Sequence, residues 1–86
     1  MATVDPGLRA AWQQHPDTEV ELILHVSGEL SALSVALAER GVSVRREFSL
    51  TRMVSVRCSG QAALGLANLP GVTRIEADHP VKALRR

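Results

Sequence analysis

Twice in this chain a helix-forming run closes on a Gly-Val step and passes straight into an alternating segment, at Gly41-Val42 and again at Gly71-Val72. Glycine just past a helix supplies the left-handed turn that ends it, and the β-branched residue after it starts a strand. Each step is preceded by a strand pattern and a helix pattern, so the chain reads as two βαβ units in tandem. This repeat restricts the fold more than any other feature. Two such units on 86 residues leave room for one sheet and one layer of helices.

The segments follow in order. Asp5 can cap a short helix begun by Pro6 at its first position and running through Trp12 to Gln14, within an N-terminal extension over 1–18. Trp12 is expected to lay its ring on the domain flank. Glu19–Val26 alternates as a strand, with Val20, Leu22, Leu24 and Val26 on one face and Glu21, Ile23 and His25 on the other. Ser27 is positioned to cap a helix over 28–40, where Leu30, Leu33 and Leu37 form the apolar stripe. The second strand, 42–48, is dense in charge, which suits an edge. The third, 53–58, points Val54, Val56 and Cys58 inward and Met53, Ser55 and Arg57 outward. Ser59 caps a second helix over 60–68, buried through Ala63, Leu66 and Leu69, and Val72–Ala77 is the fourth strand.

Joined by a tight turn, two βαβ units fold most simply as a ferredoxin-like α+β sandwich. The expectation is one four-stranded antiparallel sheet, order 4-1-3-2, with two helices on one face. The apolar first and third strands are then central and the charged second and fourth are edges. The other face stays open and carries Glu21, Ile23, His25, Arg45, Glu47, Met53, Ser55, Arg57, Arg74 and Glu76. With Ile23 and Met53 near its middle, that face can serve as a docking surface or be an ordinary solvated one.

Composition limits the function classes. One Trp, one Phe and no Tyr imply an aliphatic core with little room for an enclosed substrate cavity. A lone Cys58 makes neither an internal disulfide nor a zinc pair, and a buried apolar role is expected for it. No metal and no cofactor are expected. No activated-nucleophile spacing and no Gly-rich phosphate loop is present, so the chain is not expected to be an enzyme. His79 beside Asp78 reads as a linker residue. A formal charge of +1 and the lack of exposed stacking aromatics disfavour nucleic acid as a partner, despite Arg45-Arg46, Arg52, Arg57 and Arg85-Arg86. The sequence as written shows no signal peptide or membrane span, and the expectation is a cytoplasmic chain. Its oligomeric state is open.

Three stretches resemble the propeptides of subtilisin-type serine proteases and the free-standing inhibitors related to them. Leu69-Pro70-Gly71-Val72 through Ile75-Glu76-Ala77-Asp78 is similar to that family's Leu-Pro-Gly-Val, strand and Glu-Pro-Asp ending, with Ala77 where Pro is common. Glu47-Phe48-Ser49 and Met53-Val54-Ser55-Val56 resemble its aromatic hairpin, although Arg52-Met53 replaces the usual Asn-Gly turn. The likeness covers 19–81, and the expectation is a chain without a protease domain after Arg86. It implies a stand-alone inhibitor, assisting protease folding as well. Its open face, through Glu21, Ile23, Glu47, Met53 and Arg57, packs on surface helices of a subtilisin-type protease, with Glu47 or Glu21 at helix N-termini. The basic tail Val81, Lys82, Ala83, Leu84, Arg85 and Arg86 enters the active-site cleft as a product does. The rival readings are a non-inhibitory assembly module and an RNA-binding ferredoxin-like domain.

Overall fold

The computed structural model describes residues 2–78. The basic tail from Val81 to Arg86, together with His79, lies outside the described residues. The elements are β1 (Thr3–Val4), α1 (Pro6–Gln14), β2 (Glu19–Val26), α2 (Leu30–Glu39), β3 (Ser43–Phe48), β4 (Met53–Ser59), α3 (Gly60–Leu66) and β5 (Val72–Ala77). They form a small α+β domain. Its single sheet has the order β1-β5-β2-β4-β3.

The expectation of four antiparallel strands and two helices is corrected in two respects. Thr3–Val4 pairs with β5 in parallel, Thr3 against Arg74 and Val4 against Ile75, so the sheet is mixed and five-stranded and β5 is not an edge. The helix at Pro6–Gln14 is a third member of the helical layer. Asp5 caps it, its carboxylate accepting from the Gly7 amide at 3.3 Å. Strand β2 is central, antiparallel to β4 on one side and to β5 on the other, and β3 is the exposed edge beyond β4.

The pleat explains where the core lies. Leu22 and Leu24 of β2, Val54 and Val56 of β4 and Ile75 of β5 face the helices and are almost wholly buried, with Leu37 of α2 and Leu66 of α3 against them. Each such side chain contributes roughly 1.5–3 kcal/mol by leaving water. All three helices supply residues to this one core, so they share a face of the sheet. Gly41 and Gly71 take positive φ, 77° and 96°, at the two helix-to-strand steps. Ser27 does not cap α2. That helix starts two residues later than expected, at Leu30 behind Glu29, because Ser27 and Gly28 form the loop in which the Ser27 amide donates to the Gly71 carbonyl at 2.8 Å. Ser59 does cap α3, accepting from the Ala62 amide at 3.1 Å.

Trp12 corrects a further expectation, since only 3% of it is exposed and it belongs to the core. Helix α1 crosses α3 at Gly60, where a Cβ would meet the His15 carbonyl oxygen at 2.9 Å and Trp12 backbone atoms at 3.2 Å. The close approach requires glycine. In a helix, Gly→Ala ordinarily stabilises by up to about 1 kcal/mol. Here the contact is with backbone that cannot yield, and overpacking of about 1–3 kcal/mol should win. Gly60→Ala is therefore expected to lower stability in urea unfolding, whereas a gain would show that α1 does not sit on α3.

Cys58 is buried on the inward face of β4, and burial, aided by the charge of Glu19, pushes its thiol up to about 11. Raised above its unfolded value, this group favours the fold at lower pH and loses that contribution as pH rises through about 11. The native protein should resist a thiol reagent such as Ellman's at pH 8 and react stoichiometrically once unfolded in urea. Fast labelling of the native protein would contradict this placement.

Candidate docking face

The side of the sheet away from the helices is laid out in three rungs. In the first, Ser43, Arg57 and Glu21 lie side by side across β3, β4 and β2. Arg46, Ser55, Ile23 and Glu76 form the second, and Phe48, Met53, His25 and Arg74 the third. Among the described residues, no helix covers them. Ser55 is the exception to their exposure, at 7%, because it lies between the larger Ile23 and Arg46.

Of the residues expected on this face, Glu21, Ile23, Met53 and Arg57 are on it and Glu47 is not. A β-bulge in β3 is the reason. Val44 pairs with Val56, and the next pair is Arg46 with Ser55, so Arg45 is an extra residue in the ladder. The alternation changes phase there. Arg46 and Phe48 turn to the open side, and Glu47, opposite Val54, turns to the helix side. The Glu47 carboxylate accepts from the Ser34 hydroxyl of α2 at 2.5 Å. Arg45 also reaches the open side, where it meets Glu21. Arg46 and Phe48 are thus open-face residues that uninterrupted alternation misses. The available signal was Arg46 itself, since unbroken alternation would have aimed a guanidinium at the core.

Charge on the face is organised around two carboxylates. Glu21 receives Arg57 at 2.7 Å and Arg45 at 3.3 Å, and Arg57 also lies 3.9 Å from Glu19. The hydrogen bond from Arg57 holds the Glu21 carboxyl below its ordinary value, and the same bond raises the Arg57 guanidinium. Glu76 is shared by Arg74 at 3.0 Å and His25 at 3.4 Å. These pairs are solvent-exposed, so each one alone contributes little to stability. Their effect is to fix side-chain positions. Because the Glu21 carboxyl is lowered, the Arg57–Glu21 link persists above its usual titration range and is lost as pH falls below it.

The apolar content is Ile23 with Met53 diagonal to it and Phe48 beside Met53. Phe48 is 38% exposed and Leu50, in the hairpin beyond it, 98%. Arg52 completes that hairpin with φ 59°, a left-handed conformation that a glycine or asparagine adopts more readily. A shallow cleft of about 320 Å³ runs over the face between Ile23, Arg46, Phe48 and Asp78. A larger open cleft of about 530 Å³ lies elsewhere, between α1 and the ends of β2 and β5, lined by Leu8, Trp12, Val20 and Ala77. Among the described residues no cluster of three His, Cys, Asp or Glu side chains is placed to hold a metal ion. No helix among them is long and apolar enough to cross a membrane.

No protein-family model matches the chain, and no curated protein matches it significantly.

The bulge is directly testable. In a double-mutant cycle, Ser34→Ala and Glu47→Gln should be coupled by about 0.5 kcal/mol, the small size reflecting exposure. Ser34→Ala and Glu21→Gln should be additive. The reverse pattern would place Glu47 on the open face.

Proposed function

We propose that this chain is a propeptide-like inhibitor of a subtilisin-type serine protease. In this reading the five-stranded domain is an extended ferredoxin-like sandwich, and the free side of its sheet docks on the protease surface. The observation that carries the reading is the one-sided sheet. Three helices occupy one face, and the other presents Ile23, Met53 and Phe48 inside a frame of paired charges. An interface of this type places apolar side chains at its centre and polar ones at its rim. Strand β5 ends at Ala77, which pairs with Leu22 of β2, and the Asp78 amide still donates to the Glu21 carbonyl at 3.0 Å, so the residues that follow start from a firmly held base. A tail extended in a protease cleft gains main-chain hydrogen bonds, and a folded domain behind it reduces the ordering entropy.

Glu47 has no part in the docking, since it is engaged with α2. Glu21 contributes as the clamp that aligns Arg57 and Arg45 rather than as a free carboxylate for a partner's helix end.

The test is titration of the full chain against a panel of subtilisin-type and chymotrypsin-type proteases. Inhibition at micromolar concentration or below is expected for at least one subtilisin-type enzyme, with the chymotrypsin-type enzymes left active. Deleting residues 82–86 should abolish inhibition without changing the thermal midpoint, and Ile23→Asp should weaken it by about tenfold or more. A panel left wholly active would sink the proposal. Full inhibition by the tail-deleted chain would show that the tail is not the inhibitory element and would favour a differently docking module instead.

A further inference from the structure

The bulge at Arg45 changes the charge that the edge strand offers to a partner. Uninterrupted alternation would put one cation and one anion, Arg45 and Glu47, on the open side. With the extra residue, the strand presents Arg45 and Arg46 there and turns its carboxylate away to Ser34. The two arginines differ in what they meet. Arg45 lies 3.3 Å from Glu21, which also holds Arg57. Arg46 forms no ion pair among the described residues.

Arg46 lines the shallow cleft together with Ile23, Phe48 and Ser55. Two carboxylates border the same cleft. Glu21 is engaged by two guanidinium groups, and Asp78 accepts from the Ser55 hydroxyl at 3.4 Å. The cleft's own charges balance, Arg45 and Arg46 against Glu21 and Asp78, but Glu21 is taken by Arg45 and Arg57, so Arg46 is the guanidinium left without a carboxylate partner among the described residues, beside an apolar floor. A protein docked over this floor removes water from the Arg46 guanidinium, and that desolvation is unfavourable unless the partner supplies an acceptor. A carboxylate satisfies it best, since the planar fork of arginine pairs with two carboxylate oxygens at once.

We propose that the Arg46–Phe48–Ile23 cleft is the specificity element of the docking face, and that it receives an acidic side chain of a partner protein flanked by an aliphatic one. The carboxylate pairs with Arg46, and the aliphatic group packs on Phe48 and Ile23. The assignment rests on the inhibitory reading for the partner's identity, a subtilisin-type protease with an acidic patch, and on the bulge for the partner's charge. A nucleic acid fits less well. Its phosphates would meet Glu21 and Glu76 on the same face, with one aromatic ring to stack on and a chain of net charge only +1.

The experiment uses the full chain, nitrogen-15 labelled, and three probes: N-acetyl-Leu-Glu-Asp-Leu-amide, its Leu-Gln-Asn-Leu counterpart, and hexauridylate RNA. The acidic peptide should shift the Arg46 side-chain signal and the amides of Phe48 and Ser55, with a dissociation constant of about 1 mM or tighter. It should bind about tenfold more tightly than the neutral peptide. Arg46→Gln and Arg46→Glu should each lose the shifts, and Glu47→Gln should keep them. Equal binding of the neutral peptide, no shifts at all, or unchanged binding by Arg46→Glu overturns the assignment. Stronger perturbation of the face by hexauridylate overturns it in favour of RNA. A protease panel left uninhibited ends the inhibitory reading while these shifts are still read without any protease; lost shifts with inhibition intact end only the acidic-partner assignment.

Discussion

The structure depends on the period-two pleat of its central strands. Leu22 and Leu24 in β2 and Val54 and Val56 in β4 are removed from water together, and they can be so only if every helix packs on their side of the sheet. The residues between them, Glu21, Ile23, Met53, Ser55 and Arg57, are then left on a side that no other element among the described residues covers. A chain of this size has one helical layer to place, and placing it fixes which face is free. The candidate docking face is thus a consequence of how the core is built.

The sheet edges are managed by two different devices. On one side, the two-residue β1 covers β5, and α1 behind it anchors that end of the domain by laying Trp12 over Gly60. On the other, β3 stays exposed, and its bulge disrupts the regular ladder that another chain would need in order to pair with it. The second device also alters the open face. It rotates Glu47 off the open face and brings Arg46 and Phe48 onto it, so the local correction of an edge also sets the charge and the aromatic content of the surface.

What could be read in the sequence follows from how each feature is encoded. The long strands and the helices were legible because alternation in Glu19–Val26 and Met53–Ser59 and the stripe through Leu33 and Leu37 are periodic over several residues. The glycine turns at Gly41 and Gly71 were legible from their chemistry. Thr3–Val4 was missed because two residues carry no period, and its pairing comes from the proximity of α1 to the core. Burial of Trp12 was missed because it depends on a glycine 48 positions later, a tertiary fact invisible to local pattern. For the face, the central strands gave Glu21, Ile23, Met53 and Arg57, whereas the bulge at Arg45, between Val44 and Arg46, falls in a charged run with no apolar residue to mark the change of phase. The tail residues Val81 to Arg86 lie outside the described part of the chain.

The most direct measurement of whether the free side of the sheet is the docking surface is methyl cross-saturation, with this chain deuterated except at its methyl groups and bound to a protonated subtilisin-type protease. Saturating the protease should attenuate the methyl signals of Ile23 and Met53 strongly and leave those of Leu24, Val54 and Val56, on the opposite side of the same strands, near their free intensities. Attenuation centred instead on the exposed Val35 of α2, with Ile23 and Met53 unaffected, would contradict it.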